Sequence, residues 1–168
     1  HLVLAVNVSV KEFRDPAYVQ SVGRILQDTG ANPHRLKLEL TESVLAVDVD
    51  EVVGKMQALK AMGISFSLDD FGTGFSSLSY LKRMPLDQLK IDQSFVRDFT
   101  THASDASIVR TVIALGQGLG LDVIAEGVET AAQQSLLQVY GCTSYQGYLY
   151  GRPAPIEQFE AEMAQWAT

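Results

Sequence analysis

The stretch "ISFSLDDFGTGFSSLSYL" (residues 64–81) joins an apolar run to two adjacent carboxylates, Asp69 and Asp70, and then to two glycines. Neighbouring acids repel each other and cost free energy to desolvate, and a turn needs only one Asp. The pair therefore indicates a place where a cation or a proton is bound. The apolar residues before it predict a buried strand, and a short helix is predicted after it, ending before Pro85.

Five further apolar runs alternate with segments of helical periodicity. The six predicted strands are 2–9, 36–41, 65–70, 88–93, 122–128 and 145–150. Repeated strand–helix units predict an α/β fold with a parallel sheet and right-handed crossovers. No internal repeat or low-complexity linker divides the chain, so residues 1–168 are predicted to form one domain.

Short signals predict where several helices begin and end. Asp15 and Pro16 are predicted as an N-cap and a first helical residue. Gly63 and Gly120 each follow an apolar face at helical spacing and predict helix ends. The sequence "TAAQ" (130–133) matches a capping box, which predicts that a helix begins there.

One polar residue recurs near the C-terminal end of each predicted strand on a shared face, while the opposite face is apolar. In a barrel such faces converge at one mouth, where barrel active sites lie. We therefore expect a (β/α)8 TIM-like barrel, with about six of its eight strand–helix units in this chain. The converging residues are Asn7, Glu39, Asp69, Asp70, Lys90 and Glu126, with Gln146 in the sixth strand.

The composition argues against several classes of protein. With a net charge of −7 and no basic stripe, the chain is not expected to bind a nucleic-acid polymer. The single cysteine, Cys142, leaves no internal disulfide and is typical of a reducing compartment, so we expect a cytoplasmic location. No apolar run approaches the roughly 20 residues of a membrane helix, so this domain is not expected to contact a membrane.

The converging side chains form an oxygen-rich set with one lysine and no cysteine, which suits Mg²⁺ or Mn²⁺ rather than structural zinc. Two adjacent aspartates can bridge two cations, an arrangement used to hydrolyse phosphodiesters. Lys90 would hold a water molecule or neutralise phosphate charge. Each residue alone has an ordinary explanation, such as a helix cap, a turn or a solvated strand end. Their recurrence at matched strand ends favours a common site.

Six motifs resemble those of the EAL-domain cyclic di-GMP phosphodiesterases, in the same order and at similar spacing. They are "NVS" (7–9), "LELTES" (38–43), "DDFGTGFSSL" (69–78), "LKIDQSFV" (89–96), "VIAEGVET" (123–130) and "QGYLYGRP" (146–153). The resemblance implies a (β/α)8-type barrel that hydrolyses cyclic di-GMP to linear pGpG with Mg²⁺ or Mn²⁺, a reaction of bacterial signalling. It also implies a homodimer, fused to sensory or diguanylate-cyclase-like domains in a full-length protein that can be anchored to the inner membrane.

The resemblance implies a role for each matching residue. Asn7 and Glu39 resemble ligands of a first metal ion, Asp69 resembles a bridging ligand, and Asp70 resembles a ligand of a second ion. Lys90 resembles the lysine that holds the catalytic water.

Further positions are implied around these ligands. Glu126 resembles an acid assigned either as general base or as a second-metal ligand, and Gln146 resembles a residue that supports bound water. Asp92 and Glu129 belong to the same motifs and are expected to support the site. A loop beside the metals, also linked to dimerisation in this family, would be ordered by Glu42 together with Phe71, Gly72, Thr73 and Gly74.

The Glu-Ala-Leu motif that names the family is absent from these 168 residues. In the family it precedes the "NVS" strand, and its Glu is a ligand of the first metal ion. The chain therefore resembles the C-terminal three-quarters of such a domain. By itself it is expected to be less active than the intact domain, or inactive, and to associate through open strand edges.

Three other functions remain open from the sequence. A related domain that binds cyclic di-GMP without cleaving it would usually have lost metal ligands, whereas the visible positions are intact here. A barrel enzyme that enolises a carboxylate substrate with Mg²⁺ and Lys90 is a second alternative. A scaffolding or dimerisation domain is a third, and the cost of clustering acids argues against it.

Overall fold

Parallel strands form one six-stranded sheet in residues 2–46, 48–72 and 78–166, which are the residues that the computed structural model describes. Strand order follows the chain, β1-β2-β3-β4-β5-β6, and each neighbouring pair is parallel. A doubly wound sheet reverses its order at a switch point, whereas a TIM-like barrel adds each strand beside the last. The predicted barrel class is confirmed. The strands are β1 Leu4–Val8, β2 Leu36–Thr41, β3 Ser65–Phe71, β4 Gln88–Ile91, β5 Asp122–Ala125 and β6 Ser144–Tyr145.

Helices connect successive strands and follow the last one, as a parallel sheet requires. Single 3₁₀ turns at Pro33–Arg35 and Glu42–Ala46 flank β2. The α-helices are α1 Val10–Arg14, α2 Tyr18–Thr29, α3 Val49–Ala61, α4 Leu78–Arg83, α5 Gln93–Asp98, α6 Ala103–Leu119, α7 Ala131–Val139 and α8 Ile156–Trp166.

The main core lies between the apolar face of the central strands and the helices. Burying one large apolar side chain contributes about 1.5–3 kcal/mol to stability, so this layer supplies much of the driving force for folding. The opposite face of the same strands becomes polar toward their C-terminal ends, where the candidate site lies. The buried strand residues include Leu40, Phe66, Leu68, Leu89 and Ile91, and the buried helical residues include Met56, Leu59, Val109 and Ile113.

Most predicted helix ends are confirmed. Gly120 ends α6 in the left-handed conformation with φ 72°, and Gly63 follows the end of α3 with φ 101°. Glycine adopts such φ values without the steric cost that a Cβ would add. The capping box is also present, because the Thr130 side chain accepts a hydrogen bond from the Gln133 N–H and the Gln133 side chain accepts one from the Thr130 N–H.

The segment between β1 and α2 differs from the prediction. An additional short helix, α1, begins after Ser9, which forms a capping box with Glu12. Asp15 follows this helix and does not cap α2: its Oδ1 accepts a hydrogen bond from the Ala17 N–H at 2.8 Å, and α2 begins at Tyr18. The N-cap prediction is wrong because Asp makes the same short-range bond in turns as it does in helix caps.

The sixth strand is shorter than predicted and consists of Ser144 and Tyr145. Beyond it, the chain exchanges backbone hydrogen bonds with the loop after β5: the Val128 N–H donates to Gln146 O at 3.0 Å, and the Leu149 N–H donates to Val128 O at 3.0 Å. Gly147 makes this approach possible, since a Cβ there would lie 2.3 Å from the Val128 backbone. Close packing on the loop therefore replaces a regular strand.

Candidate active site

Lys90 lies at the centre of the predicted site and is 4% exposed. Its ammonium Nζ lies 2.7 Å from Glu39 Oε2, 2.7 Å from Glu126 Oε1 and 3.1 Å from Asp69 Oδ1. These carboxylates come from β2, from β3 and from the loop after β5. Burying an unpaired ammonium would cost several kcal/mol, so the lysine and the acids hold each other in place.

The charges in this cluster do not balance. Glu39, Asp69 and Glu126 surround one lysine, and Asp70 adds a further acid beside Asp69. Burial by itself would lower the pKa of Lys90, but the hydrogen bonds that it donates to Glu126 and Glu39 raise its pKa above the usual value. The lysine therefore stays charged, and the excess of acid leaves room for a further positive charge.

Two of the acids have raised pKa values, chiefly because they are partly buried. Burial raises the pKa of Glu126, although the hydrogen bond that it accepts from Lys90 opposes that shift. The pKa of Asp70 is raised mainly by burial and, to a smaller extent, by repulsion from the Asp69 carboxylate. In the metal-free protein these carboxyls retain protons more readily than ordinary acids do, and a divalent cation would favour their ionised forms.

A β-bulge brings the two neighbouring aspartates to the same site. Between Leu68 and Phe71 β3 advances three residues while β4 advances two, and Asp70 has φ 55°. In a regular strand adjacent side chains point to opposite faces, but a bulge redirects one of them. Asp is among the few residues that tolerate this left-handed conformation.

The bulge produces a cluster that is suited to a metal ion. Asp69, Asp70 and Glu126 each offer a carboxylate oxygen, and these oxygens lie within 4.8 Å of one another. An all-oxygen set of this kind fits a hard cation such as Mg²⁺ or Mn²⁺. The residues present therefore fit the predicted cofactor.

Asp92 supports this cluster from the N-terminus of α5. It is the N-cap of that helix and accepts hydrogen bonds from the Ser94 N–H at 2.8 Å and from the Ser94 hydroxyl. Burial acts to raise the pKa of Asp92, but the Ser94 hydrogen bonds outweigh it and lower that pKa. Its carboxyl also hydrogen-bonds Asp70, and this interaction contributes to the raised pKa of Asp70 and the lowered pKa of Asp92.

Glu42 contacts the beginning of the predicted loop. It is buried at the start of the 3₁₀ turn after β2, and its Oε2 accepts a hydrogen bond from the Gly72 N–H at 3.2 Å. Phe71 is buried as the last residue of β3, and Gly72 packs near Phe95 with φ 100°. The remaining residues of the predicted loop set, Thr73 and Gly74, lie outside the described residues.

The remaining predicted residues border the cluster. Gln146 Nε2 donates to Glu126 Oε1 at 2.5 Å, and Asn7 stands in register with Glu39 on the neighbouring strand. Glu129 is exposed and lines, with Glu126 and Gln146, a cleft of about 460 Å³. The structure thus brings the acids, Lys90 and Gln146 into contact and leaves Asn7 and Glu129 at the border.

A layer of polar residues beneath the cluster was not assigned from the sequence. The Lys37 ammonium donates to Gln88 Oε1 at 3.0 Å, and the buried Ser67 hydroxyl donates to the same atom at 3.3 Å. Lys37, Ser67 and Gln88 each lie two positions before a site residue. They therefore share a strand face with Glu39, Asp69 and Lys90, respectively. That alternation was the available signal, and it became interpretable once the strand register was known.

The fold and this cluster define a TIM-barrel-like protein with an acidic, metal-competent site at the C-terminal strand ends. The family model described as EAL domain matches residues 1–153, and the chain belongs to the EAL domain family. The chain is 47% identical, over 161 residues, to a bifunctional diguanylate cyclase/cyclic di-GMP phosphodiesterase, MucR of Pseudomonas aeruginosa. That alignment covers 96% of the chain and 24% of MucR, so the chain spans about a quarter of this relative.

Solved structures of related proteins have the same fold as this chain. A MucR phosphodiesterase in complex with c-di-GMP superposes with a TM-score of 0.89 at 46% identity, covering 94% of this chain and 64% of that one. The EAL domain of Mycobacterium smegmatis DcpA gives 0.91 at 39% identity, covering 97% and 73%. A manganese and c-di-GMP complex of Klebsiella pneumoniae BlrP1 gives 0.81 at 33% identity, covering 90% and 39%.

No helix within the described ranges is long and apolar enough to cross a membrane.

Proposed function

We propose that this chain forms the larger part of a phosphodiesterase domain that hydrolyses cyclic di-GMP to linear pGpG with Mg²⁺ or Mn²⁺. One observation carries the proposal: three carboxylate oxygens of Asp69, Asp70 and Glu126 lie within 4.8 Å of one another beside Lys90. The names of the MucR and BlrP1 complexes support the substrate class, and the manganese in the BlrP1 name supports the use of a divalent ion.

Asp69, Asp70, Glu39 and Asn7 would hold the metal ions, which we propose to be two, with Asp69 between them. When bound, these ions would act as Lewis acids on the phosphodiester and lower the pKa of a water molecule. Lys90, a cation within 3.1 Å of Asp69, would orient that water and offset phosphate charge.

We propose that Glu126 would receive a proton. Its pKa is raised by burial, which makes it a stronger base than an ordinary carboxylate. The hydrogen bond from Gln146 at 2.5 Å orients the carboxylate toward the cluster. Glu42, through the Gly72 N–H, would order the start of the loop beside the metal ions.

The surrounding assembly belongs to the same proposal. We also propose a homodimer. Fusion to sensory or cyclase domains is supported by the bifunctional name and greater length of MucR. A cytoplasmic location is supported by the single buried cysteine, Cys142.

The direct test is to incubate the full-length protein that contains this sequence with cyclic di-GMP and to measure pGpG by chromatography. We expect turnover with Mg²⁺ or Mn²⁺ and none after chelation. Undiminished turnover in chelator would exclude the metal mechanism. Tight binding of cyclic di-GMP without pGpG would instead identify a receptor, which is the second candidate.

A further inference from the structure

Gln133 is a buried polar residue outside the candidate site, 5% exposed, and its side-chain amide makes four hydrogen bonds. Its Oε1 accepts from the Glu129 N–H at 2.8 Å and from the Thr130 N–H at 2.9 Å. Its Nε2 donates to Val96 O and to Arg97 O, each at 3.1 Å. One side chain therefore connects the loop before α7 with the C-terminal half of α5.

The amide oxygen of Gln133 makes the hydrogen bonds of a common helix cap, whereas the hydrogen bonds of the amide nitrogen are not part of such a cap. In a capping box the third helical residue accepts a hydrogen bond from the N-cap backbone, and Glu serves there as well as Gln. The donation to Val96 O and Arg97 O requires an N–H, which Gln supplies and an ionised Glu does not. Capping of α7 therefore does not explain why this position donates to α5.

The loop held by Gln133 carries Glu126. Its backbone is also held by the Glu126 N–H, which donates to Ile91 O at 3.1 Å, and by the Val128 N–H, which donates to Gln146 O at 3.0 Å. Gly127 meets the start of α5, since a Cβ there would lie 2.7 Å from Gln93 Cβ. The loop thus contacts α5 directly at Gly127 and is joined to it a second time through the Gln133 side chain.

The helix on the other side of this contact also leads to the site. Asp92 caps the N-terminus of α5 and hydrogen-bonds Asp70. Fixing the loop against α5 therefore fixes Glu126 relative to both Lys90 and the Asp69–Asp70 bulge. Displacements of about 1 Å at such groups can cost on the order of 100-fold in rate.

We propose that Gln133 is a positioning residue, which holds the Glu126–Thr130 loop against α5 and thereby sets where the Glu126 carboxylate lies. The proposal rests on the proposed function for its effect on turnover. Its structural part, the coupling of the Glu126 backbone to α5, stands on the hydrogen bonds alone.

The decisive variant is Gln133→Glu. It keeps the oxygen that caps α7 and replaces the N–H donors with a carboxylate that repels Val96 O and Arg97 O. The matched variant is Thr130→Ala, which removes the hydroxyl that accepts from the Gln133 N–H at 3.2 Å and leaves the bridge to α5 intact. Gln138→Glu, at an exposed position of the same helix, controls for the added charge.

Amide hydrogen exchange in the 168-residue chain measures the structural part by NMR. In Gln133→Glu we expect protection of the Glu126 and Val128 amides to fall at least about tenfold, while that of Glu129 and Thr130 is retained. Thr130→Ala should weaken protection in the first turn of α7 and leave Glu126 protected. Gln138→Glu should resemble the wild type.

Kinetics of the full-length protein measure the functional part. We expect Gln133→Glu to lower kcat about tenfold with KM nearly unchanged, similar to the loss of other outer contacts of a metal site. Thr130→Ala and Gln138→Glu should retain kcat within about twofold, although Thr130→Ala lowers the melting temperature.

The exchange and kinetic results together distinguish a positioning role of Gln133 from a purely structural one. A folded Gln133→Glu protein with unchanged exchange at Glu126, or the same loss in Thr130→Ala, would overturn positioning and leave only a cap. If Gln133→Glu does not fold, Gln133→Met, which removes both hydrogen-bonding functions at similar volume, is measured against the same outcomes, and its failure to fold would also overturn positioning in favour of a structural role. A wild type without turnover would refute the proposed function, and the exchange result would still decide the role of Gln133.

Discussion

Strands β4 and β1 carry similar alternating sequences and have different surroundings. In β4 the outward residues Leu89 and Ile91 are fully buried, and Lys90 between them is held by three carboxylates. In β1 the apolar residues Leu4 and Val6 are 66% and 38% exposed. Alternation therefore tells which residues share a face, whereas burial depends on the neighbours that the fold supplies.

The two strands also differ in what a substitution would change: the free energy of unfolding at β4 and the association of chains at β1. Around β4, Lys90 is the shared partner of three carboxylates, and losing it would leave those buried acids without a cation. Along β1 exposed apolar side chains and a strand edge without a neighbour in the described residues favour association with another chain. The following predictions test each side.

The largest expected effect is on turnover, at the bulge next to β4. If the proposed function holds, Asp69→Asn should reduce cyclic di-GMP hydrolysis by the full-length protein at least about 100-fold, because the proposed metal ions would lose a shared anionic ligand. The metal-free protein should still fold, since removing one of several crowded acids relieves repulsion. Chromatographic assay of pGpG together with circular dichroism checks both statements. Near-normal activity would show that Asp69 does not bridge the metal ions.

Lys90→Met should produce the largest loss of stability. It removes the cation and leaves Glu39, Asp69 and Glu126 buried without compensation, so we expect the free energy of unfolding to fall by about 3 kcal/mol or more at neutral pH. Urea denaturation of the 168-residue chain measures it. Mn²⁺ should restore part of the loss in Lys90→Met, because the ion replaces the missing charge. If Mn²⁺ stabilises the wild type by more than the variant, this account of the cluster is wrong.

A smaller effect is expected in the pH dependence of the metal-free chain. The pKa of Asp70 is raised by burial and by Asp69, so between its unfolded and folded pKa values the native state binds more protons than the unfolded state. This group's contribution to stability is therefore present at low pH and is lost as pH rises through the folded pKa. Asp70→Asn, which also tolerates the left-handed backbone, should flatten that decline.

Thermal melts of wild type and Asp70→Asn from pH 3.8, the ordinary pKa value of an Asp carboxyl, to about pH 8 check this sign. The difference in melting temperature should shift in favour of Asp70→Asn as pH rises. A difference that is constant with pH would mean that the Asp70 pKa is the same in the folded and unfolded states.

The smallest effect on folding is expected at β1, where the effect on assembly should nevertheless be visible. Leu4→Lys should change the free energy of unfolding by no more than about 0.5 kcal/mol, because the side chain is largely exposed. It should reduce self-association of the 168-residue chain, measured by light scattering over a concentration series. Ile25→Lys on α2, at 58% exposure, is the matched control and should leave association unchanged. Equal loss in both variants would indicate nonspecific apolar contact rather than pairing at the β1 edge.

Local patterns predicted much of this protein. Alternation placed Glu39, Asp69 and Lys90 on one face, and glycines and the capping box placed the ends of α3 and α6 and the start of α7. Such features depend on residues close in the chain, so the sequence contains the whole interaction. The EAL motifs likewise indicated the family before any contact was known.

Other features required the tertiary structure. Strict alternation would place Asp70 away from Asp69, and only the mismatch in register with β4 turns it toward Glu126. The short β6 results from contact between Gly147 and the Val128 backbone. Asp15 could cap either a helix or a turn until α1 was seen to precede it.

The sequence by itself determined the barrel class, the family and the acid–lysine set, because strand period and motif spacing record them locally. The tertiary structure decided which acids meet Lys90, how the bulge directs Asp70, and that Gln133 reaches α5 from 36 residues away. These contacts join segments far apart in the chain, and no periodicity specifies the distance between two atoms that only the packed fold brings together.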